Sequence, residues 1–267
     1  MSTVRLVTRG GVAQVILDRP DQMNAISPEL LVELDEVCGT IEREPDLKAV
    51  VLTGAGRAFC AGADLTVVEE LAPFPEHWRV FMSVWHRVFD RIERLPVPVV
   101  AGVHGVALAG GLELLLVCDL VVSDEDARIG DQHANFALVA GGGGSQRLPR
   151  LIGARRAKEL MLLGGWLSAA QALDWGLVNR VAPRGTAEAA ALALGGELAQ
   201  KSGAASRAVK RLVDRGLDVD LRSGLELEKR IVAEHMRSDD AQAGLKAFRE
   251  RGSGSSRGGA PTERRKK

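Results

Sequence analysis

The sequence predicts an α/β fold with a helical C-terminal region, on three observations. Two β-branched runs, 47–53 and 97–103, each lead through a Gly/Ala-rich loop into helix-forming sequence. Repeated strand–helix connections of this kind favour adjacent parallel strands. After Gly153 the pattern becomes almost wholly helical. The composition suits a globular core, with 46% of the 267 residues hydrophobic and 35 basic residues balancing 35 acidic ones.

Each element follows from local pattern. Residues 4–8 and 12–17 flank Arg9-Gly-Gly11 and read as a hairpin. Ser27-Pro28-Glu29 predicts a capped helix to about Glu44, with Pro at its first position. The strand at 47–53 runs into Gly54-Ala-Gly56, and Asp64 is placed to cap a helix beginning near Leu65. Residues 76–94 form an amphipathic helix whose stripe of Trp78, Phe81, Trp85, Val88, Phe89 and Ile92 reads as core. A buried strand at 97–103 precedes a helix at 110–117. Further helices are expected at 154–163, 168–175, 186–201, 203–215, 220–237 and 239–251, with Ser168 capping the second and Gly176 ending it. The organisation expected is a core over 1–190, a helical region over 191–251, and a Gly/Ser-rich, then basic, disordered tail over 252–267.

Glu113 is the candidate for chemistry. It sits among Leu112, Leu114, Leu115, Leu116 and Val117, three residues after Gly110. A carboxylate in such surroundings is paired, protonated or facing a cavity. A helix starting at Gly110-Gly111 aims free N–H groups and its positive dipole end at whatever lies there, and glycine lets a ligand come close. An anion-stabilising site with a base beside it is the expectation. Gly141 to Gly144 offers either an anion site at a helix start or a close backbone approach beside the active site.

Other classes find little support. Zero net charge gives no electrostatic case for nucleic acid or a membrane surface, and no apolar run reaches a membrane span. The N-terminus lacks the apolar stretch of a signal peptide, and the odd set Cys38, Cys60 and Cys118 suggests neither disulfides nor a metal site. The expectation is a cytoplasmic protein. Gly54-Ala-Gly56 has Phe59 where a dinucleotide fingerprint needs its third glycine. Phosphate-loop, nucleophile-elbow and His-Glu-x-x-His motifs are absent from the sequence.

Phe59-Cys-Ala-Gly-Ala-Asp64, together with Gly105-Val-Ala-Leu-Ala-Gly-Gly-Leu-Glu113 and Cys118-Asp119, resembles the crotonase superfamily of enoyl-CoA hydratases and isomerases. Asp18-Arg-Pro-Asp-Gln-Met-Asn-Ala25, Gly141-Gly-Gly-Gly-Ser-Gln-Arg-Leu-Pro149 and Ser168-Ala-Ala-Gln-Ala-Leu-Asp-Trp-Gly-Leu-Val178 extend the likeness, in family order, to about Arg251. The resemblance implies a spiral of strand–strand–helix units carrying an acyl-CoA site, with the C-terminal helices making trimers that pair into hexamers. It implies an oxyanion hole from the N–H groups of Ala63 and Gly110, and Glu113 as acid/base. It places Ala25, Ala61, Asp64 and Leu65 at coenzyme A, which enters as part of the substrate; no other cofactor is implied. The reaction expected is hydration of a 2-enoyl-CoA. Double-bond isomerisation, thioester hydrolysis and non-catalytic CoA binding are the alternatives.

One position departs from the family pattern. Where a second glutamate is expected, in a Gly-x-x-Glu context, the chain reads Gly130-Asp-Gln-His133. If 129–134 is extended, Asp131 and His133 project to the same side. His133 is then either an imidazolium acid favoured by Asp131 or a neutral donor that positions water or the acyl group.

Overall fold

The computed structural model describes residues 2–255, so most of the expected tail, 256–267, lies outside the described residues. The described chain divides into two units, one ending at Lys201 and one starting at Ser202. The strands are β1 (Val4–Arg9), β2 (Val12–Leu17), β3 (Ala49–Gly54), β4 (Val99–Val103), β5 (Val106–Leu108), β6 (Leu120–Asp124), β7 (Arg128–Gly130), β8 (Trp166–Ser168) and β9 (Arg180–Ala182). Six form one sheet in the order β1-β2-β3-β4-β6-β9, and β5-β7-β8 form a second. In the large sheet only β1–β2 is antiparallel, with Val4 opposite Leu17; the other pairs are parallel. β3 is buried along its whole length, which explains a continuous apolar run rather than an alternating one. The α/β fold expected from the strand–helix connections is the fold observed.

The helices of the first unit are α1 (Pro28–Arg43), α2 (Leu65–Leu71), α3 (Pro75–Glu93), α4 (Gly110–Leu115), α5 (Gly144–Ile152), α6 (Ala154–Leu162), α7 (Ala169–Asp174) and α8 (Ala187–Ala199). Ser27 caps α1 through the Leu30 N–H, and Ser168 with Gln171 makes a reciprocal capping box on α7. The core gathers β-strand residues such as Val15, Val50 and Leu52 with Leu30, Leu34, Phe81, Trp85 and Phe89 from α1 and α3. On the other side of the large sheet, Ala191 and Leu194 of α8 pack with Val12, Val51, Val100 and Val122. That packing keeps α8 with the first unit, past the boundary expected at residue 190.

The second unit holds α9 (Gly203–Leu217), α10 (Leu221–His235) and α11 (Asp239–Ser255). Ser202 and Asp220 cap the first two through the N–H groups of Ala205 and Ser223. The backbone of α11 continues past the end expected at Arg251. Among the described residues no helix is long and apolar enough to cross a membrane.

Candidate active site

The segment 60–65 is stitched between two others. Cys60 bridges Ala107 in parallel fashion and Ala63 bridges Ile26. The Ile26 N–H donates to Gly62 O (2.7 Å) and the Asp64 N–H to Ile26 O (2.9 Å). In a parallel ladder these two bonds bracket residue 63, so the Ala63 N–H faces away from Ile26. The Ala61 N–H donates to Met23 O at 3.0 Å, and Arg19 holds both the Ala25 carbonyl and the Asp64 carboxylate, the latter at 2.9 Å. Asp64 also caps α2 through the Thr66 N–H at 3.1 Å, while Leu65 lies exposed at its start. Ala25, Ala61, Ala63, Asp64 and Leu65 thus belong to one locality.

Gly110 is brought to the same place. A Cβ built on Gly62 would stand 3.2 Å from Gly110 N, and one on Gly110 would stand 3.3 Å from Gly62 Cα. Backbones this close admit only glycine. Gly110 opens α4, so its N–H is a first-turn donor with no partner inside the helix. Ala109, just before it, holds φ +50° and ψ −111°, a strained state that costs about 1–3 kcal/mol and aims this turn.

Glu113 lies on the first turn of α4, its N–H donating to Ala109 O at 3.0 Å. Its side chain is only 3% exposed, and Oε1 accepts a hydrogen bond from the Gly144 N–H at 2.9 Å. Burial raises the Glu113 pKa above the ordinary carboxylate value, against the lowering effect of the Gly144 N–H, the His133 charge and the Gly142 N–H. A Cβ on Gly142 would meet Glu113 Oε2 at 2.5 Å, and one on Gly144 would meet Oε1 at 3.0 Å. Of the two readings of the 141–144 run, the close backbone approach is the one observed, and the group it meets is the carboxyl of Glu113. Arg147 of α5 pairs with Glu93 (2.6 Å) and Asp90 (2.8 Å) of α3, which fixes the helix that presents Gly144.

The segment expected to be extended over 129–134 is not. β7 ends at Gly130, and a 3₁₀ turn spans His133–Phe136. Asp131, 2% exposed, drives the change: its Oδ1 accepts from the His133 backbone N–H at 3.1 Å and lies 2.9 Å from His133 Nδ1. The two side chains meet, but through a turn rather than strand alternation. Burial alone would lower the His133 pKa; the Asp131 hydrogen bond and the charges of Asp131 and Glu113 outweigh it and raise the value above 6.5.

Sequence reasoning found Asp131 as the partner of His133 but missed Trp85, legible only as one residue of a core stripe. The indole of Trp85 lies against Gly110, whose Cβ would come within 2.7 Å of Cζ2.

Comparison with known proteins is consistent with this geometry. The family described as Enoyl-CoA hydratase/isomerase matches residues 7–256. A short-chain-enoyl-CoA hydratase of Clostridium acetobutylicum is 34% identical over 252 residues, covering 94% of this chain and 96% of its own. An enoyl-CoA isomerase/hydratase of Mycosarcoma maydis is 36% identical over 250 residues, 90% of each chain. The crystal structure of an enoyl-CoA hydratase from Bacillus anthracis superposes with a TM-score of 0.89 at 37% identity, over 93% of this chain and 96% of that one.

Proposed function

This chain belongs to the enoyl-CoA hydratase/isomerase family and acts on acyl-CoA, and from that premise we propose that it adds water across the double bond of a 2-enoyl-CoA. The N–H groups of Ala63 and Gly110 hold the thioester oxygen, which gains negative charge as the enolate forms. Glu113 takes a proton from water as its oxygen attacks the β-carbon. His133, protonated and held by Asp131, gives a proton to the α-carbon. The water O–H, the His133 N–H and the C=C π bond break, and a C–O, a C–H and a Glu113 O–H bond form; proton transfer from Glu113 to solvent and from solvent to His133 resets the pair. Ala25, Ala61, Asp64 and Leu65 line the coenzyme A end.

The observation that supports this reading most is the fixed Glu113 carboxylate, buried in α4 beside Gly110 and electrostatically linked to the Asp131–His133 pair. Environments that raise both pKa values favour a strong base and a persistent acid, the division of labour that hydration needs. Mixing purified protein with a short 2-enoyl-CoA should bleach the conjugated double-bond absorbance and yield a 3-hydroxyacyl-CoA. A moved double bond would identify an isomerase instead, and CoA thiol released to a thiol reagent would identify a hydrolase. Binding without turnover would leave a CoA-binding protein. We further propose a homotrimer or a dimer of trimers in the cytoplasm. Support comes from the apolar residues that α9 and α10 expose, Val209, Val213, Leu217, Leu221 and Leu225. Monomer alone in light scattering at micromolar concentration would reject that assembly.

A further inference from the structure

Trp85 is 3% exposed, and its indole Nε1 is buried without a hydrogen-bond partner among the described residues. Buried N–H groups left unpaired are rare and unfavourable, and one that persists beside a candidate catalytic carboxylate calls for an explanation. The ring is not free to turn toward another acceptor. Phe81 packs edge-on against it, with centroids 5.6 Å apart at 90°, and Phe89 packs on it at 5.4 Å. Its benzo edge rests on Gly110, with Cζ2 and Cη2 at 2.7 and 2.8 Å from where a Cβ would stand.

Gly142 locates Nε1 relative to Glu113. A Cβ there would lie 2.5 Å from Trp85 Nε1 and 2.5 Å from Glu113 Oε2, so the two atoms are at most 5.0 Å apart, twice that distance. One is a donor only and the other, when ionised, an acceptor only. At separations short of that limit, one oxygen about 2.8 Å from each atom, on the side away from Gly142, bridges the two. The group that matches a donor on one side and an acceptor on the other is a hydroxyl.

We propose that Trp85 Nε1 and Glu113 Oε2 together bind one hydroxyl group, that of the attacking water and then that of the 3-hydroxyacyl product. This rests on the hydration reading above and deepens it. Water gives its hydrogen to Glu113 and accepts from Trp85 through one lone pair, which leaves the second lone pair for the β-carbon. The same pair selects hydroxyl-bearing acyl chains over saturated ones. The aromatic stripe of α3 therefore has two jobs: its rings pack the core and one of them orients a donor.

The test compares a short 3-hydroxyacyl-CoA with the saturated acyl-CoA of equal chain length, each titrated by calorimetry. The unaltered chain should bind the hydroxylated ligand more tightly. Trp85→Phe loses the donor and also the benzo edge beside Gly110, so the readout is the ratio of the two affinities, which should fall about tenfold in favour of the saturated ligand. In the unaltered chain labelled with ¹⁵N, the Trp85 indole proton should move downfield with the hydroxylated ligand and stay put with the saturated one. This second measurement needs no variant to fold. An unmoved resonance, or a preference unchanged in Trp85→Phe, overturns the proposal while acyl-CoA binding persists. Failure of both ligands to bind overturns the hydration reading with it.

Discussion

The Gly144 N–H donates to Glu113 Oε1 at 2.9 Å across 31 residues of chain, joining the start of α5 to the first turn of α4. This bond and the Gly142 N–H orient the carboxylate, and the close approach of both backbones explains glycine at 142 and 144. Added methyl groups should therefore act by displacing Glu113, and by different amounts. Gly142→Ala puts a Cβ 2.5 Å from Oε2, where something must move; Gly144→Ala puts one 3.0 Å from Oε1, a tighter fit than usual but one that a small shift relieves. Overpacking of this kind destabilises by about 1–3 kcal/mol. Steady-state rates and thermal melting should rank Gly142→Ala as the worse variant in both. Equal, wild-type rates would show that the carboxylate position is not under backbone control.

Glu113→Gln should lower kcat by about 10²–10⁴ while leaving CoA thioester binding intact. Its effect on stability should have the opposite sign at alkaline pH. The folded chain raises the Glu113 pKa, chiefly through burial, so the folded state holds the proton more tightly than the unfolded state. Stability then falls as pH rises from the ordinary carboxylate range through the raised value. The amide removes this slope. Melting temperatures should cross, with Glu113→Gln the more stable at high pH; a variant less stable at every pH would contradict the buried-charge account.

The rate should follow a bell in pH, rising as Glu113 ionises and falling as His133 loses its proton, with both limbs belonging to the coupled pair. Asp131→Asn removes the carboxylate that raises the His133 pKa, so the falling limb should move to lower pH. His133→Gln should abolish that limb. His133→Glu should increase hydration of a simple 2-enoyl-CoA, since it places a carboxylate at the family's usual position. A profile left unmoved by both Asp131→Asn and His133→Gln would make His133 structural.

Arg19 links the Ala25 carbonyl to the Asp64 carboxylate, and so ties together the two segments proposed to meet coenzyme A. Arg19→Ala should leave Asp64 still capping α2 through Thr66 but loosen its hold on residue 25. We expect KM for the CoA thioester to rise about tenfold with a much smaller change in kcat, because the group acts on binding rather than on bond formation. A fall in kcat with KM unchanged would place its effect in the oxyanion hole instead.

Much of the fold and site was legible in sequence, because the relevant signals are local. The cap at Ser27, the cap at Asp64 and the core stripe of α3 each depend on spacing within one or two turns, and all three are observed. Glu113 stood out because a carboxylate among leucines is costly wherever the chain goes. The short strands were not legible: β5, β7, β8 and β9 are three residues each, too brief to show a period. They exist because a neighbour supplies the ladder, as Gly130 does for Leu108.

What the chain could not declare residue by residue is who meets whom. Gly141 to Gly144 reads equally as an anion site or a tight approach until α5 brings the Gly144 N–H to Glu113. Asp131 and His133 meet through a 3₁₀ turn, because a buried carboxylate captures the backbone N–H two residues on and bends the strand that alternation predicted. Trp85 looked like any core aromatic, since hydrophobic periodicity places a ring but says nothing of its one polar atom. Local propensity and burial are written in the order of residues; hydrogen-bond partners 31 residues apart depend on packing, which only the folded chain decides.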